Sequence, residues 1–212
     1  HFNNPSGYES LAVDAAGSMY LAGQFQRSVD FNASPTGATT MTADNTAGCN
    51  AQSFVMKLDL FAEPYWAGQF GKDGSNSSCY VWPRSIAVDG NGNVYTTGTF
   101  NGGSVDFDPG AGVTNLVQTY VQRQAAFVSK LNSSGEFVWA YRIGSENVPG
   151  TLYDGGHLGE AKTYSVAADG AGNVYVVGTF WGSTSFQHGA GVTTLNSSRS
   201  EQSRPDTFIL KL

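Results

Sequence analysis

Chemistry in this chain would begin with its acidic residues. Asp89 heads the run DGNGN (residues 89–93), which offers oxygen ligands at the short spacing of a calcium loop. Asp106 and Asp108 stand two apart in VDFDPG, so on an extended strand both carboxylates face one way and can share a proton or a metal ion. Asp154, His157 and Glu160 in YDGGHLGE fall at i, i+3 and i+6, three ligand types that bind a metal when a helix holds them. Each set also has a plainer reading. An Asp at a turn entrance accepts backbone N–H bonds while Gly and Asn supply the positive φ needed there. An acidic pair on a loop is ordinarily solvated. Gly155, Gly156 and Gly159 argue against a helix rigid enough to hold the third set, which leaves a flexible polar loop. The histidines His1, His157 and His188 fall in a terminus and two loops, and no His or Cys stands beside a persuasive catalytic partner. The expectation is a protein without a catalytic centre and without a cofactor, Ca²⁺ at the Asp89 turn being the alternative.

What positions these residues is a repeat. Residues 85–100 read SIAVDGNGNVYTTGTF, residues 10–25 SLAVDAAGSMYLAGQF, and residues 165–180 SVAADGAGNVYVVGTF. In each, an alternating apolar run stops at an Asp (Asp14, Asp89, Asp169), a small Gly-containing turn follows, and a second alternating run leads out. That is a β-hairpin written three times. Recurrence of the Asp in every copy favours turn chemistry over calcium. A third strand follows in every unit (SFVMKL 53–58, AFVSKL 126–131, TFILKL 207–212), and a fourth in two of them (YWAGQFG 65–71, EFVWAYRIG 136–144). Local antiparallel connections join all of them, so each complete unit reads as a four-stranded antiparallel sheet, its strands termed a to d.

The pattern AVDxxGNVY, then FDPG, then AFVxKL and a Trp-Ala strand resembles the bacterial seven-bladed β-propeller (SBBP) repeats over nearly the whole chain. The resemblance implies an all-β propeller of tandem blades: a lead-in over 1–9, a first blade over 10–71, a second with its preceding loop over 72–144, and a third, lacking its outer strand, over 145–212. It also implies a bacterial protein that is secreted or on the cell surface. Three blades do not close a ring. Either the chain is a segment of a longer propeller, as its start at His1 rather than Met allows, or several chains complete one another.

Bulk composition agrees. Charged residues make up 13% of the 212-residue chain and Gly numbers 27, which suits a turn-rich all-β protein. A net charge of −6 with no Lys/Arg cluster excludes a phosphate-backbone footprint, hence nucleic acid as a partner. No apolar run reaches the ~20 residues of a membrane-spanning helix.

Strand polarity sorts the loops. The a-to-b and c-to-d turns share one face and are short; the other face carries the long stretches 26–52, 72–84, 101–125, 145–163 and 181–206. Loops on a rigid scaffold carry function, so a partner site is expected there. Tyr80, Trp82, Tyr120, Tyr153 and Trp181 lie in these stretches and are the candidate anchors for a protein or a glycan, unless they pack beneath the loops. Cys49 and Cys79 lie there too, where a disulfide would contribute about 3–4 kcal/mol and imply an oxidising compartment; two free thiols are the other reading. The Phe of the b-to-c insertion (Phe31, Phe107, Phe186) recurs in every unit, as a buried anchor would. Trp66 and Trp139 recur at one register of strand d and read as core. A binding or scaffolding module is the leading function. A subunit assembling chain to chain through open sheet edges is the second reading, and a carbohydrate-active enzyme using Asp106, Asp108 or Asp154 the third.

Overall fold

The computed structural model describes residues 5–31, 40–42, 52–71, 80–101, 103–118, 124–144, 159–197 and 205–212. Among these residues every regular element is a strand, and none forms a helix able to cross a membrane. The first unit supplies β1 (Pro5–Val13), β2 (Met19–Phe25), β3 (Ser28–Asp30), β4 (Thr40–Thr42), β5 (Gln52–Leu58) and β6 (Pro64–Phe70). Its main sheet has the order β1-β2-β5-β6, and β3 and β4 form a separate hairpin. The second unit repeats this with β7 (Tyr80–Val88), β8 (Val94–Asn101), the hairpin of β9 (Gly103–Asp106) and β10 (Asn115–Gln118), β11 (Ala125–Leu131) and β12 (Phe137–Ile143). The third consists of β13 (Ala161–Ala168), β14 (Val174–Phe180), the hairpin of β15 (Ser183–His188) and β16 (Gly191–Asn196), and β17 (Asp206–Lys211). Its sheet is three-stranded, β13-β14-β17. All pairings are antiparallel, and among the described residues the sheets do not close into a ring.

Two features depart from the sequence reading. The first strand of each unit starts earlier than expected: β1 begins at Pro5, inside the stretch read as a lead-in, and β7 at Tyr80, inside the stretch read as a loop. A β-bulge explains the difference. The ladder skips one residue between Tyr8 and Ser10, between Pro83 and Ser85, and between Thr163 and Ser165, so the two-residue period changes phase and the strand runs on past it. The second departure is a hairpin inside each b-to-c insertion (β3–β4, β9–β10, β15–β16), where the sequence showed only a polar connection.

The sheets stack face to face. Between the first and second, Tyr20, Ala22 and Val55 pack with Ile86, Val94, Phe100, Phe127 and Leu131. Between the second and third, Tyr95 and Val128, the residues one repeat later than Tyr20 and Val55, pack together with Ala126 against Val166, Val174, Val176, Phe180 and Phe208. The middle sheet is covered by a sheet on each side, and the first by the second sheet and its own insertion hairpin. Strands β5, β8 and β11 are therefore buried along almost their whole length rather than at alternate residues. A hydroxyl latch repeats at each seam. Ile86 N–H donates to Ser10 Oγ at 3.1 Å, and Val166 N–H to Ser85 Oγ at 3.1 Å.

The insertion hairpins are clasps. Gly71 N–H, at the end of β6, donates to the Asp106 carbonyl of β9 at 2.8 Å, and Gly144 N–H to the Ser185 carbonyl of β15 at 2.9 Å. The β9–β10 and β15–β16 hairpins thus dock on the outer strand of the preceding sheet. In all three units the Phe pins the hairpin from beneath, as the recurrence predicts: Phe31, Phe107 and Phe186 are buried, with ring centroids 4.6, 4.7 and 4.9 Å from Phe54, Phe127 and Phe208.

One turn design serves both tight connections of a unit. Asp14, Asp89 and Asp169 each accept two backbone N–H bonds through Oδ1, from the residues two and four positions on. Asp59 and Asn132 do the same in the c-to-d turns. The fourth residue of each turn is left-handed: Gly17 at φ +86°, Gly92 at +77°, Gly172 at +84° and Gly135 at +82°. The exception is Ala62, at φ +64°. Ala62→Gly is therefore expected to stabilise the protein by about 0.5–1 kcal/mol, because an L side chain is disfavoured in that well. Urea unfolding of the variant checks it, and a lower midpoint would contradict the assignment of strain.

Candidate functional site

A groove of about 350 Å³ opens where the outer strand of the first sheet meets the second unit. Its walls come from three elements: Trp66 of β6, the 108–112 segment linking β9 to β10, and the 134–137 turn into β12. The sequence makes each wall rigid. Trp66 donates its indole N–H to the Ser133 carbonyl at 3.1 Å, and its ring lies so close to Gly135 that a Cβ there would sit 2.7 Å from Trp66 Cδ2. Pro109 lies on Gly68, where a Cβ would come within 2.8 Å of the proline Cβ. Asp108 closes its own turn through Gly110 N–H, received at 2.8 Å by Oδ1, and its Oδ2 lies against Gly112. Across from it the exposed Glu136 takes a hydrogen bond from Asn132 Nδ2 at 2.7 Å through Oε2. The groove thus combines one half-buried indole with two carboxylates, and no Lys or Arg lines it. Such a lining suits a ligand that offers hydroxyl donors and an apolar face, and it disfavours anions.

The anticipated acidic pair is not a pair. Strand β9 ends at Asp106, and Asp108 stands beyond it in the turn, so the two-residue spacing does not put them on one strand face. Asp106 is buried rather than solvated, and its Oδ1 receives Asp108 N–H at 3.0 Å and Thr114 N–H at 2.8 Å. It holds the 107–114 loop in shape.

Asp89 is equally committed. Oδ1 receives Asn91 and Asn93 N–H, while Oδ2 receives Asn93 Nδ2 at 2.8 Å and the Tyr95 phenol at 2.9 Å. Burial alone would raise the pKa of this carboxyl, but the hydrogen bonds from Asn93, Tyr95 and Asn91 outweigh it and hold the group below its ordinary value. Tyr95 responds in the opposite sense: burial first, then its bond to the Asp89 carboxylate, push the phenol well above its usual range. The Tyr20 and Asp14 pair repeats this at 2.9 Å, with Tyr20 likewise raised. Lys57 and Lys130 lie over the rings of Tyr20 and Tyr95, each 5.2 Å from the centroid. Among the described residues no three His, Cys, Asp or Glu gather closely enough to hold a metal ion.

The aromatic candidates separate. Tyr80 and Trp82 lie on β7 two residues apart and stack at 5.0 Å with 7° between planes, both half-exposed. Trp181 is half-buried, with Lys162 Nζ 5.4 Å from its ring. Glu160 is buried, and its carbonyl receives Trp181 N–H at 3.0 Å; it is not part of an open loop. Tyr120, Tyr153, Asp154, His157, Cys49 and Cys79 lie outside the described residues. Trp66 and Trp139 are half-buried at the seams rather than inside a sheet. In the sequence Trp66 reads as core and Asp108 as half of an acidic pair, and the partner Gly135 belongs to the next unit, a relation that no single repeat displays.

Residues 66–103 match the family model of the SBBP beta-propeller repeat. The stretch runs from the Trp-Ala of β6 through β7 and β8, so the chain carries an SBBP repeat, and its antiparallel all-β sheets accord with that family. No curated protein matches the chain.

Proposed function

We propose that the chain is part of a secreted or cell-surface, non-enzymatic β-propeller, and that it binds a glycan through the groove beside Trp66, which takes a neutral sugar unit. The observation that carries this reading is the meeting of Trp66, Asp108 and Glu136 around one cleft free of basic side chains. A pyranose presents a C–H face to an indole and hydroxyl donors to carboxylates. At about 350 Å³ the groove is at the small end of ligand sites, which suits one sugar unit of a longer chain. Repetition supports a binding role over catalysis: the recurring Asp14, Asp89 and Asp169 all serve turns, and Asp106 serves a loop. The stacked Tyr80 and Trp82 favour a second partner, a protein, on the elaborated face.

Saturation-transfer NMR with a panel of neutral oligosaccharides tests the glycan reading. Binding at millimolar strength or tighter is expected, and Glu136→Gln, on an exposed side chain, is expected to weaken it about fivefold. If no neutral saccharide transfers signal, or Glu136→Gln binds as the parent does, the groove is not the site.

A further inference from the structure

A labile step lies inside the β7–β8 turn. Asn91 is followed by Gly92, and an Asn side chain cyclises most readily onto a following glycine, which puts no Cβ in the path and leaves the backbone free to rotate. The sister turns carry Ala16 and Ala171 at this position and bond in the same way, so the turn does not require an Asn there. Asn91 is exposed, and the turn engages its backbone N–H. Cyclisation needs the Gly92 nitrogen. That nitrogen attacks Asn91 Cγ, a Cγ–N bond forms, the bond from Cγ to Nδ2 breaks, and Nδ2 leaves as ammonia with the proton that Gly92 gave up. The cyclic imide then takes up one water molecule and opens to an aspartyl or an isoaspartyl residue.

We infer that Asn91 is a deamidation site that the Asp89 turn keeps latched in the folded protein, and that it converts through local opening of this turn. The reacting nitrogen is committed elsewhere: Gly92 N–H donates to the Asp89 carbonyl at 3.0 Å, and Asp89 N–H to the Asn93 carbonyl at 3.0 Å. Asp89 Oδ1 receives Asn91 N–H at 2.9 Å and Asn93 N–H at 3.0 Å, on either side of the reacting peptide. The neighbouring turn backs Gly92 as well, since a Cβ built there would lie 3.2 Å from Ser133 Cβ. An imide nitrogen carries no hydrogen, so the ring cannot form until the bond from Gly92 to Asp89 is broken. A nucleophile held away from its near-attack geometry reacts far more slowly. The isoaspartyl product has one more atom in its backbone, so conversion also disturbs the spacing of the two N–H groups that Asp89 Oδ1 receives.

Ageing the 212-residue protein at mildly alkaline pH beside a free peptide of residues 85–100, with peptide mapping by mass spectrometry, gives the two rates at Asn91. Hydrogen exchange read by NMR gives the protection of the Gly92 amide, which the same opening must expose. The protein is expected to convert about 100-fold or more slowly than the peptide, and that ratio is expected to match the Gly92 protection factor within about threefold. Asp89→Ala is expected to lower retardation and protection together. The inference is overturned if Asn91 in the protein converts at the peptide's rate, or if folded Asp89→Ala keeps the parent's rate. It is equally overturned if the retardation follows the protection of the buried β11 amides, which report global unfolding, instead of that of Gly92. The comparison of rate with protection is made on the parent protein, so it decides the matter even where Asp89→Ala fails to fold.

Discussion

Gly98→Ala is expected to destabilise the protein by about 3 kcal/mol or more, although it adds a single methyl group. Gly98 faces the β7 bulge. It pairs with Pro83 just before the skipped residue, and a Cβ at this position would overlap the Trp82 carbonyl oxygen and sit 2.8 Å from Pro83 Cα. Those are backbone atoms, so no rotamer change relieves the overlap. Nor can either strand retreat. Strand β8 is paired on its far side at Phe127, the Gly98 carbonyl receives Thr163 Oγ–H at 2.9 Å, and β7 is latched to the third sheet by Ser85 Oγ. Gly178, one repeat later, is under the same constraint: a Cβ would overlap the Lys162 carbonyl oxygen and meet Phe208 Cζ at 2.6 Å. The control lies in the same molecule. Gly170, in the β13–β14 turn, has nothing within 4 Å of an added Cβ, and Gly170→Ala is expected to change stability by less than about 0.5 kcal/mol. Urea unfolding of the two variants decides it. If Gly98→Ala and Gly170→Ala share a midpoint, the bulge is not a fixed part of the sheet.

The Gly of TTGTF and VVGTF recurs in the sequence, but its reason does not. Strands a and b are legible because alternation, Asp and Gly all lie within sixteen consecutive residues, and local turn chemistry determines the hairpin. The bulge hides because it changes the phase of that alternation: Tyr80 and Trp82 belong to β7 although the regular pattern starts only at Ser85. The insertion hairpins hide for another reason. Strands of three to six residues such as β3, β9 and β15 carry little periodic signal, and part of what holds β9 and β15 is the preceding sheet, through Gly71 and Gly144. Asp106 and Asp108 mislead in the same way. Spacing alone puts both on one strand face, whereas Pro109 and Gly110 end the strand and turn the second carboxylate into a cap. The groove depends on contacts between units, Trp66 to Ser133 and Pro109 to Gly68, so it becomes visible only when the sheets are stacked.

Asp89→Ala should produce the second large effect, a loss of about 2–4 kcal/mol, together with a change in how stability depends on pH. The magnitude follows from what the carboxylate leaves behind. Asn91 N–H, Asn93 N–H, Asn93 Nδ2 and the buried Tyr95 hydroxyl all lose an acceptor, and the phenol lies where water cannot easily replace it. The direction with pH follows from the carboxyls. Asp14, Asp89 and Asp169 are all held below the ordinary range of an aspartic carboxyl. For Asp14 and Asp89 burial acts upward but is outweighed by hydrogen bonds; for Asp169 the bond from the Asn173 side chain leads, with burial opposing it weakly. A carboxyl whose folded pKa lies below its unfolded one stabilises the fold above the unfolded value, about 3.9, and that contribution is lost as pH falls through the folded value. Unfolding midpoints should therefore be flat from neutral pH down to about 5 and fall steeply below about 4. Asp89→Ala should lower the midpoint at neutral pH and make the acid slope shallower, because one of the three titrating turns no longer contributes. Asp89→Asn separates charge from hydrogen bonding: its Oδ1 can still receive both backbone N–H groups, but its amide meets the Asn93 donor head-on. It should fall between the parent and Asp89→Ala at neutral pH while matching the shallower acid slope. An unchanged acid slope in both variants would mean that the Asp89 turn does not set the acid limit of the fold.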